Sequence, residues 1–128
     1  MTNTALLICA MTIFFEAQGE SEHGQRAVAT TIWNRAEGNP NKIQAVCLAW
    51  KQYSCWNGST PNVDYSDPVF IKCVDISKEM FSFQFTPVSK ATHYHSRDVL
   101  PNWSKGMKRI ETIGNHIFYC KKGSHEKA

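Results

Sequence analysis

Residues 5–24 read ALLICAMTIFFEAQGESEHG and predict a buried helix, a turn and the start of a second helix. Apolar residues recur near helical spacing as far as Ala17, and Gly19 is a suitable helix stop. Ser21 can then cap the second helix. The apolar run is about eleven residues long, too short for a bilayer span, and it lacks the basic flank and cleavage site of a signal peptide. We therefore expect it to form a core helix.

Three further helical segments are predicted. The second helix continues to a break at Gly38-Asn39-Pro40, and a short third helix covers residues 42–50. The pair Asp67-Pro68 provides an N-cap followed by proline at the first helical position, which predicts the start of a fourth helix.

The last third of the chain changes in character. Residues 91–95 and 116–120 are rich in aromatic and β-branched side chains and predict two short strands. We interpret residues 99–103 as a loop and residues 113–115 as a turn. Helices followed by a small antiparallel sheet indicate an α+β fold. At 128 residues the chain fits one domain, residues 1–128, with a flexible tail over about 121–128.

The composition is that of a globular protein, with 42% hydrophobic and 20% charged residues. A net charge of +3 favours approach to an anionic polymer such as a cell wall, but the basic residues are too scattered to indicate nucleic acid. The five cysteines form no C-x-x-C pair, and Cys9, Cys47 and Cys73 lie among apolar residues. We expect reduced, buried thiols, with one disulfide as the alternative.

Glu16 follows Ile13, Phe14 and Phe15 in the most apolar run of the chain. A carboxylate in such surroundings is expected to be partly desolvated, and desolvation favours the protonated form that a general acid needs. Taken alone, a Glu on the solvent side of a helix is the commoner case. Glu20 lies one helical turn further on and can share the same face, which suggests a glycosidase pair.

Three histidines form a second candidate group. On a strand, His93 and His95 point to one side and Tyr94 to the other. Together with His116 they could form an open three-histidine zinc site. No His-Glu-x-x-His motif accompanies them, so we favour a role in a substrate groove and expect neither a metal nor a cofactor. A histidine bonded to a neighbouring carbonyl is the structural alternative for each.

The segment Gln52-Tyr53-Ser54-Cys55-Trp56 interleaves polar and aromatic side chains. This pattern suits carbohydrate, because hydroxyls can pair with the polar groups and apolar ring faces with the aromatic ones. Nucleobases would stack on the same aromatics but normally come with more Arg and Lys. Cys55 as a nucleophile would need a nearby histidine, and the local signatures of cysteine proteases are missing.

Several blocks in conserved order, from about residue 13 to about residue 120, resemble the SleB/CwlJ-type cell wall hydrolase family. They are Ile13-Phe14-Phe15-Glu16-Ala17-Gln18-Gly19-Glu20, continuing through Gly24-Gln25, Ala27-Val28-Ala29 and Trp33-Asn34-Arg35, then Gln52-Tyr53-Ser54-Cys55-Trp56, Ala91-Thr92-His93-Tyr94-His95, Pro101-x-Trp103 and Ile113-Gly114-Asn115-His116-Ile117-Phe118-Tyr119. The chain departs from the family pattern at Phe14, Gln18 and Tyr53, where Tyr, Arg and Phe are common.

The resemblance implies a lysozyme-like α+β fold and peptidoglycan glycan strands as substrate. Glu16 aligns with the family's catalytic glutamate, and Glu20 is expected to assist it as a positioning or charge-tuning partner. The side chains expected to hold the glycan are Gln52, Tyr53, Ser54, Trp56, His93, Tyr94, His95 and Trp103.

The expected reaction is cleavage of the β-1,4 bond between N-acetylmuramic acid and N-acetylglucosamine as a lytic transglycosylase, which leaves a 1,6-anhydro sugar. The alternatives are a hydrolytic muramidase that uses Glu20 or a neighbour, a zinc amidase or peptidase built on His93, His95 and His116, and a wall-binding module without activity.

The predicted setting follows from the same features. With no export signal recognised, we expect synthesis in the cytoplasm and action on the cell wall, which suits a phage endolysin released through holin lesions. We expect a monomer that neither binds nucleic acid nor inserts stably into a membrane.

Overall fold

The computed structural model describes residues 3–49, 53–56, 58 and 61–123. It consists of helices followed by an antiparallel sheet in the strand order β1-β3-β2. The helices are α1 (Asn3–Glu16), α2 (Glu22–Arg35), α3 (Ile43–Leu48) and α4 (Pro68–Phe81), and the strands are β1 (His93–Ser96), β2 (Met107–Ile113) and β3 (His116–Lys121). The predicted α+β fold is therefore confirmed.

Helix α1 is the central element of the main core. Cys9, Ala10 and Ile13 are fully buried, and they belong to one cluster with Ile32 of α2 and Phe70 of α4. A helix that is apolar on most of its circumference is stable in water only when other elements cover it. The predicted core helix is thus correct. Within the described residues, no helix is both long and apolar enough to cross a membrane.

The predicted helix starts are formed by local capping bonds. The Ser21 hydroxyl accepts a hydrogen bond from the Gly24 N–H at 3.3 Å at the start of α2. The Asp67 carboxylate accepts from the Val69 N–H at 2.8 Å, with Pro68 at the first position of α4. Each cap satisfies an N–H that lacks a partner within the helix, which explains why the two helices begin where they do.

Helix α4 ends in a Schellman motif. The Phe83 N–H donates to the Met80 carbonyl at 3.4 Å, and the Gln84 N–H donates to the Glu79 carbonyl at 2.8 Å. This motif needs a left-handed residue, usually glycine, and here Phe83 fills the position with φ +60°. Helix α2 ends in the same way, with Glu37 at φ +56°.

A second, smaller core joins the helices to the sheet. Ala27 and Val28 of α2 pack with Ile113 and Phe118 of the sheet. The amide nitrogen of Asn34 donates to the carbonyls of Ser89 (3.1 Å) and Ala91 (2.8 Å), on the segment that leads into β1. These contacts fix the sheet against α2.

Strand β2 is the element that the sequence analysis missed. It forms an edge of the sheet, and between Arg109 and Glu111 its pairing with β3 is interrupted by an irregularity. Most of its side chains are exposed, so it shows no alternation of apolar and polar residues. An edge strand that owes its structure to pairing with a distant strand lacks the local pattern from which strands are predicted.

The described part of the chain bears on three smaller predictions. Cys9, Cys47, Cys73 and Cys120 are buried, and they and the partly buried Cys55 are all free thiols, as expected. The third helix is shorter than predicted. Trp50 and residues 124–128 of the predicted flexible tail lie outside the described residues, whereas Lys121 belongs to β3.

Candidate active site

Glu16 is the last residue of α1, and its partly buried carboxylate faces the sheet. The hydroxyl of Tyr94, on β1, donates a hydrogen bond to Glu16 Oε1. The Tyr94 ring itself packs against the rings of His116, at 4.8 Å, and Phe118, at 5.5 Å. Because the Tyr94 ring is itself packed, its hydroxyl holds the Glu16 carboxyl group in a fixed orientation.

The groups around Glu16 stay protonated. Burial raises the pKa of Tyr94, and the nearby negative charge of Glu16 raises it further. Burial likewise raises the pKa of the Cys55 thiol to about 12, with Glu16 as a second cause. A thiol with such a pKa is a poor nucleophile, because the thiolate is the reactive form. This argues against Cys55 as a nucleophile.

Glu20 lies in the turn between α1 and α2 and contacts the turn between β2 and β3. The Asn115 N–H lies 3.3 Å from Oε1 and 3.4 Å from Oε2 of Glu20. A Cβ atom placed on Gly114 would lie 1.9 Å from Glu20 Oε1, so the close approach requires glycine there. Gly114 also has φ +56°, which glycine adopts without strain. Glu20 thus joins the end of the sheet to the helical turn next to Glu16.

The three histidines lie on two faces of the sheet. His93 and His95 share one face of β1, whereas Tyr94 and Ser96 share the other. Ser96 pairs directly with His116, so His116 lies on the Tyr94 face. The alternative of a zinc site built on His93, His95 and His116 is therefore wrong. Among the described residues, no three His, Cys, Asp or Glu side chains are grouped to hold a metal ion.

Beside β1, an open cleft of about 540 Å³ is lined by residues from β1, the end of α2 and the segment before β2. We call it the β1 cleft, and its lining includes Arg35, His93, Tyr94, His95 and Trp103. Trp103 is 39% exposed, and its ring lies 5.4 Å from the ring of His93. Burial lowers the pKa of His93 to about 4, with the Arg35 charge as a second cause, so this imidazole is neutral at physiological pH.

A family model described as Cell Wall Hydrolase matches residues 19–119 of the chain. The chain belongs to this family. The match covers the α2, β1 and β3 blocks and begins three residues after Glu16. Family membership therefore rests on most of the domain. Glu16 lies outside the matched residues, and its place in the site is known from the structure alone.

Solved structures of two relatives show the same fold as this cell wall hydrolase. The catalytic domain of the germination-specific lytic transglycosylase SleB from Bacillus anthracis is 24% identical, with a TM-score of 0.70 over 94% of this chain and 97% of that chain. The catalytic domain of the Bacillus cereus SleB protein is 22% identical, with a TM-score of 0.71 over 93% and 91%. No curated protein sequence matches the chain.

In this cell wall hydrolase, Tyr53 is placed too deep to touch a polymer directly, and His95 borders the β1 cleft but exposes almost no surface. Tyr53 is 2% exposed, and its hydroxyl lies 3.2 Å from Thr31 Oγ1. His95 is 7% exposed, its Nδ1–H donates to the Ser96 carbonyl at 2.7 Å, and its Nε2 is hydrogen-bonded to the Tyr119 hydroxyl at 2.8 Å. Their predicted glycan contacts are corrected accordingly, because both side chains are covered and already bonded.

Trp56 is also tied into the core. Its indole N–H donates to Thr12 Oγ1 at 2.8 Å, and its ring packs against the main core cluster. Trp103 is the more exposed of the two tryptophans that were predicted to stack on a sugar. Ser54 lies in a short 3₁₀ turn next to Trp56, and Gln52 lies outside the described residues.

Arg35 is a site residue to which the sequence analysis gave no role. Its Nε donates to the Thr92 carbonyl at 2.6 Å, and its guanidinium carbon lies 5.8 Å from the centre of the Tyr53 ring. It thereby links the end of α2 to the residue before β1 and places a cation in the β1 cleft. The signal for Arg35 in the sequence was the block Trp33-Asn34-Arg35, in which a cation ends a helix whose preceding residues are mostly buried.

Proposed function

We propose that this domain cleaves the β-1,4 bond between N-acetylmuramic acid and N-acetylglucosamine in peptidoglycan as a lytic transglycosylase, with Glu16 as the acid and then the base. The observation that carries the proposal is the position of Glu16 at the end of α1, where the Tyr94 hydroxyl of β1 holds its carboxyl group. The second carboxylate of the motif, Glu20, instead accepts a backbone N–H from the neighbouring turn. One positioned acid is what an intramolecular reaction requires.

The proposed reaction needs no water. Protonated Glu16 donates its proton to the glycosidic oxygen while the bond to C1 of the muramyl sugar breaks and positive charge develops on that ring. The C6 hydroxyl of the same sugar then attacks C1, and its proton passes to the Glu16 carboxylate. The product is a 1,6-anhydro sugar, and Glu16 is again protonated for the next cycle.

The β1 cleft supplies groups suited to a glycan. Trp103 offers an exposed ring face for a sugar, and neutral His93 can donate or accept a hydrogen bond with a hydroxyl. Arg35 adds a cation that favours the carboxylates of an anionic wall polymer. The relative from Bacillus anthracis is described as a lytic transglycosylase, which supports the same reaction class here.

The proposal is tested by muropeptide analysis after digestion of purified peptidoglycan by the parent protein and by Glu16→Gln. We expect anhydro-muropeptides, lighter than the hydrolytic products by one water, from the parent, and a loss of turnover by at least about a hundredfold in the variant. Glu37→Gln is the matched control, because the Glu37 ion pair with Lys42 is exposed to solvent. Undiminished turnover by Glu16→Gln would refute the assignment, and products that carry the added water would identify a hydrolytic muramidase.

The endolysin setting stays a prediction. Its test is expression in a bacterial host with and without a co-expressed holin. Lysis that depends on the holin is expected, and lysis without it would contradict release through holin lesions.

A further inference from the structure

A second cavity lies at the opposite end of α1 from Glu16. It has a volume of about 420 Å³, which is within the usual range of small-molecule sites. We call it the distal pocket, and its lining includes Ala5, Asn39, Asn41, Gln44, Phe81 and Phe83. Ala5 and Glu16 are eleven positions apart along the helix, which corresponds to about 16 Å. The distal pocket shares no lining residue with the β1 cleft.

The lining of the distal pocket combines amides with aromatic rings and holds no charged side chain. The side-chain oxygen of Asn39 accepts a hydrogen bond from the Asn41 N–H at 3.0 Å, which leaves the –NH₂ group of Asn39 as a donor. The neighbouring Lys42 pairs with Glu37 at 2.5 Å. An ionised ligand would therefore find no opposite charge in the lining, whereas hydroxyl and acetamido groups would find matching donors and acceptors.

Phe83 is unusual in both conformation and exposure. It adopts φ +60°, a conformation that costs energy for a bulky residue, and its side chain is 71% exposed. Glu37 occupies the equivalent position at the end of α2, but its side chain is used in the ion pair with Lys42. The Phe83 ring gains little burial in return for the strain. The Schellman motif at the end of α4 accounts for the backbone conformation, but not for an exposed phenylalanine at a position that usually holds glycine.

We propose that the distal pocket binds an N-acetylated hexose unit of a glycan strand and anchors the domain to the wall at a second point. Phe81 and Phe83 would contact the apolar face of the sugar ring, and the amides of Asn39, Asn41 and Gln44 would pair with its hydroxyl and acetamido groups. The choice of ligand rests on the proposed function, whereas the pocket and the strained Phe83 are properties of this chain.

The first experiment uses Phe83→Gly in a Glu16→Gln background, so that the wall is not degraded during the measurement. Because glycine adopts the left-handed conformation without strain, we expect a rise in the melting temperature together with weaker binding to purified, insoluble peptidoglycan. The loss of one aromatic contact corresponds to a fall in affinity of about threefold to tenfold. A residue with only a structural role would not move these two quantities in opposite directions. Binding equal to that of the Glu16→Gln parent would overturn the proposal.

The second experiment maps the binding of a soluble probe, tri-N-acetylchitotriose, by NMR. We expect two separate groups of shifted amides, one around Glu16 and Tyr94 and one around residues 39–44 and 81–84. Gln44→Ala should remove the second group and leave the first, whereas Gln84→Ala is the matched control, because Gln84 is exposed and does not line the pocket. Shifts confined to the first group, or an equal effect of both variants, would contradict the proposal.

These tests separate the distal pocket from the proposed reaction. Binding is measured without turnover, so a parent protein that releases no anhydro ends would refute the transglycosylase assignment and leave the binding result intact. Conversely, full transglycosylase activity with no effect of Phe83→Gly on wall binding would refute only the distal pocket.

Discussion

Replacing Glu20 by alanine and by glutamine separates a positioning role for this carboxylate from a role in activating water. In the structure, Glu20 accepts the Asn115 N–H at 3.3 and 3.4 Å and fits against Gly114. In the proposed transglycosylase reaction, Glu20 serves only to hold this turn beside Glu16. A hydrolytic muramidase needs it as a base.

The expected cost in stability follows from the geometry. A hydrogen bond to a charged group contributes about 1.5–3 kcal/mol, but these contacts are long and partly exposed, so Glu20→Ala should cost about 1 kcal/mol. For a domain of this size, that loss lowers the melting temperature by about 4 °C. Glu20→Gln keeps an amide oxygen as acceptor and should cost less than half of this.

A third variant tests the same contact from the other side. Gly114→Ala places a Cβ atom 1.9 Å from Glu20 Oε1 and puts alanine at φ +56°. The left-handed conformation alone costs about 1 kcal/mol, and displacement of Glu20 adds the loss expected for Glu20→Ala, so the sum is about 2 kcal/mol. Because Glu20 itself is not substituted, this variant moves the Glu20 carboxylate but keeps its charge.

Urea denaturation and turnover on purified peptidoglycan are the two assays, with Glu37→Gln as control. For a positioning role we expect Glu20→Gln to stay within about tenfold of the parent turnover, and Gly114→Ala to lose more activity than Glu20→Gln. For a base, Glu20→Gln should lose at least about a hundredfold with nearly unchanged stability. That second outcome would refute the positioning role and favour the hydrolytic alternative.

Three further predictions concern groups around the site. Tyr94→Phe removes the hydroxyl that orients Glu16 and should lower kcat by about tenfold to a hundredfold with little change in KM; an unchanged kcat would show that the contact has no role in turnover. Arg35→Met removes the donor to the Thr92 carbonyl and should lower the free energy of unfolding by about 1–3 kcal/mol in urea titrations, and a neutral effect would contradict its role in holding β1. The pKa of His93 is lowered from 6.5 to about 4 on folding, so the unfolded chain binds more protons within this window. The free energy of unfolding should therefore fall as the pH drops from 6.5 towards 4, and His93→Gln should flatten the fall; an equal pH dependence in parent and variant would refute this cause.

Local chemistry explains why the helices were predicted from sequence. The Ser21 and Asp67 caps each involve an N–H two or three residues away, and Gly19 has φ +79° just beyond α1. Such interactions depend on neighbours in the chain, so they can be recognised without knowing the fold. The position of Glu16 at the end of the apolar helix follows from the same local pattern, and the family resemblance was carried by blocks of adjacent residues.

Contacts between distant residues were decided only by the tertiary structure. The Tyr94 hydroxyl and the Glu16 carboxylate are 78 positions apart in the chain, and the sequence indicated a glycan contact for Tyr94 instead. The histidine grouping failed because strand pairing puts His116 on the opposite face from His93 and His95, and this register depends on a partner strand that the local sequence of β1 does not identify.

The same distinction applies to burial and to β2. Periodicity indicates that a side chain has an apolar or a polar neighbourhood, but not which residues cover it, and so Tyr53 could be mistaken for a surface aromatic although it is 2% exposed. Strand β2 has mostly exposed side chains and is stabilised by pairing with β3. The sequence by itself therefore determined the helices, the family and the candidate acid, because these depend on short-range patterns. Packing of distant segments decided which groups hold that acid in place.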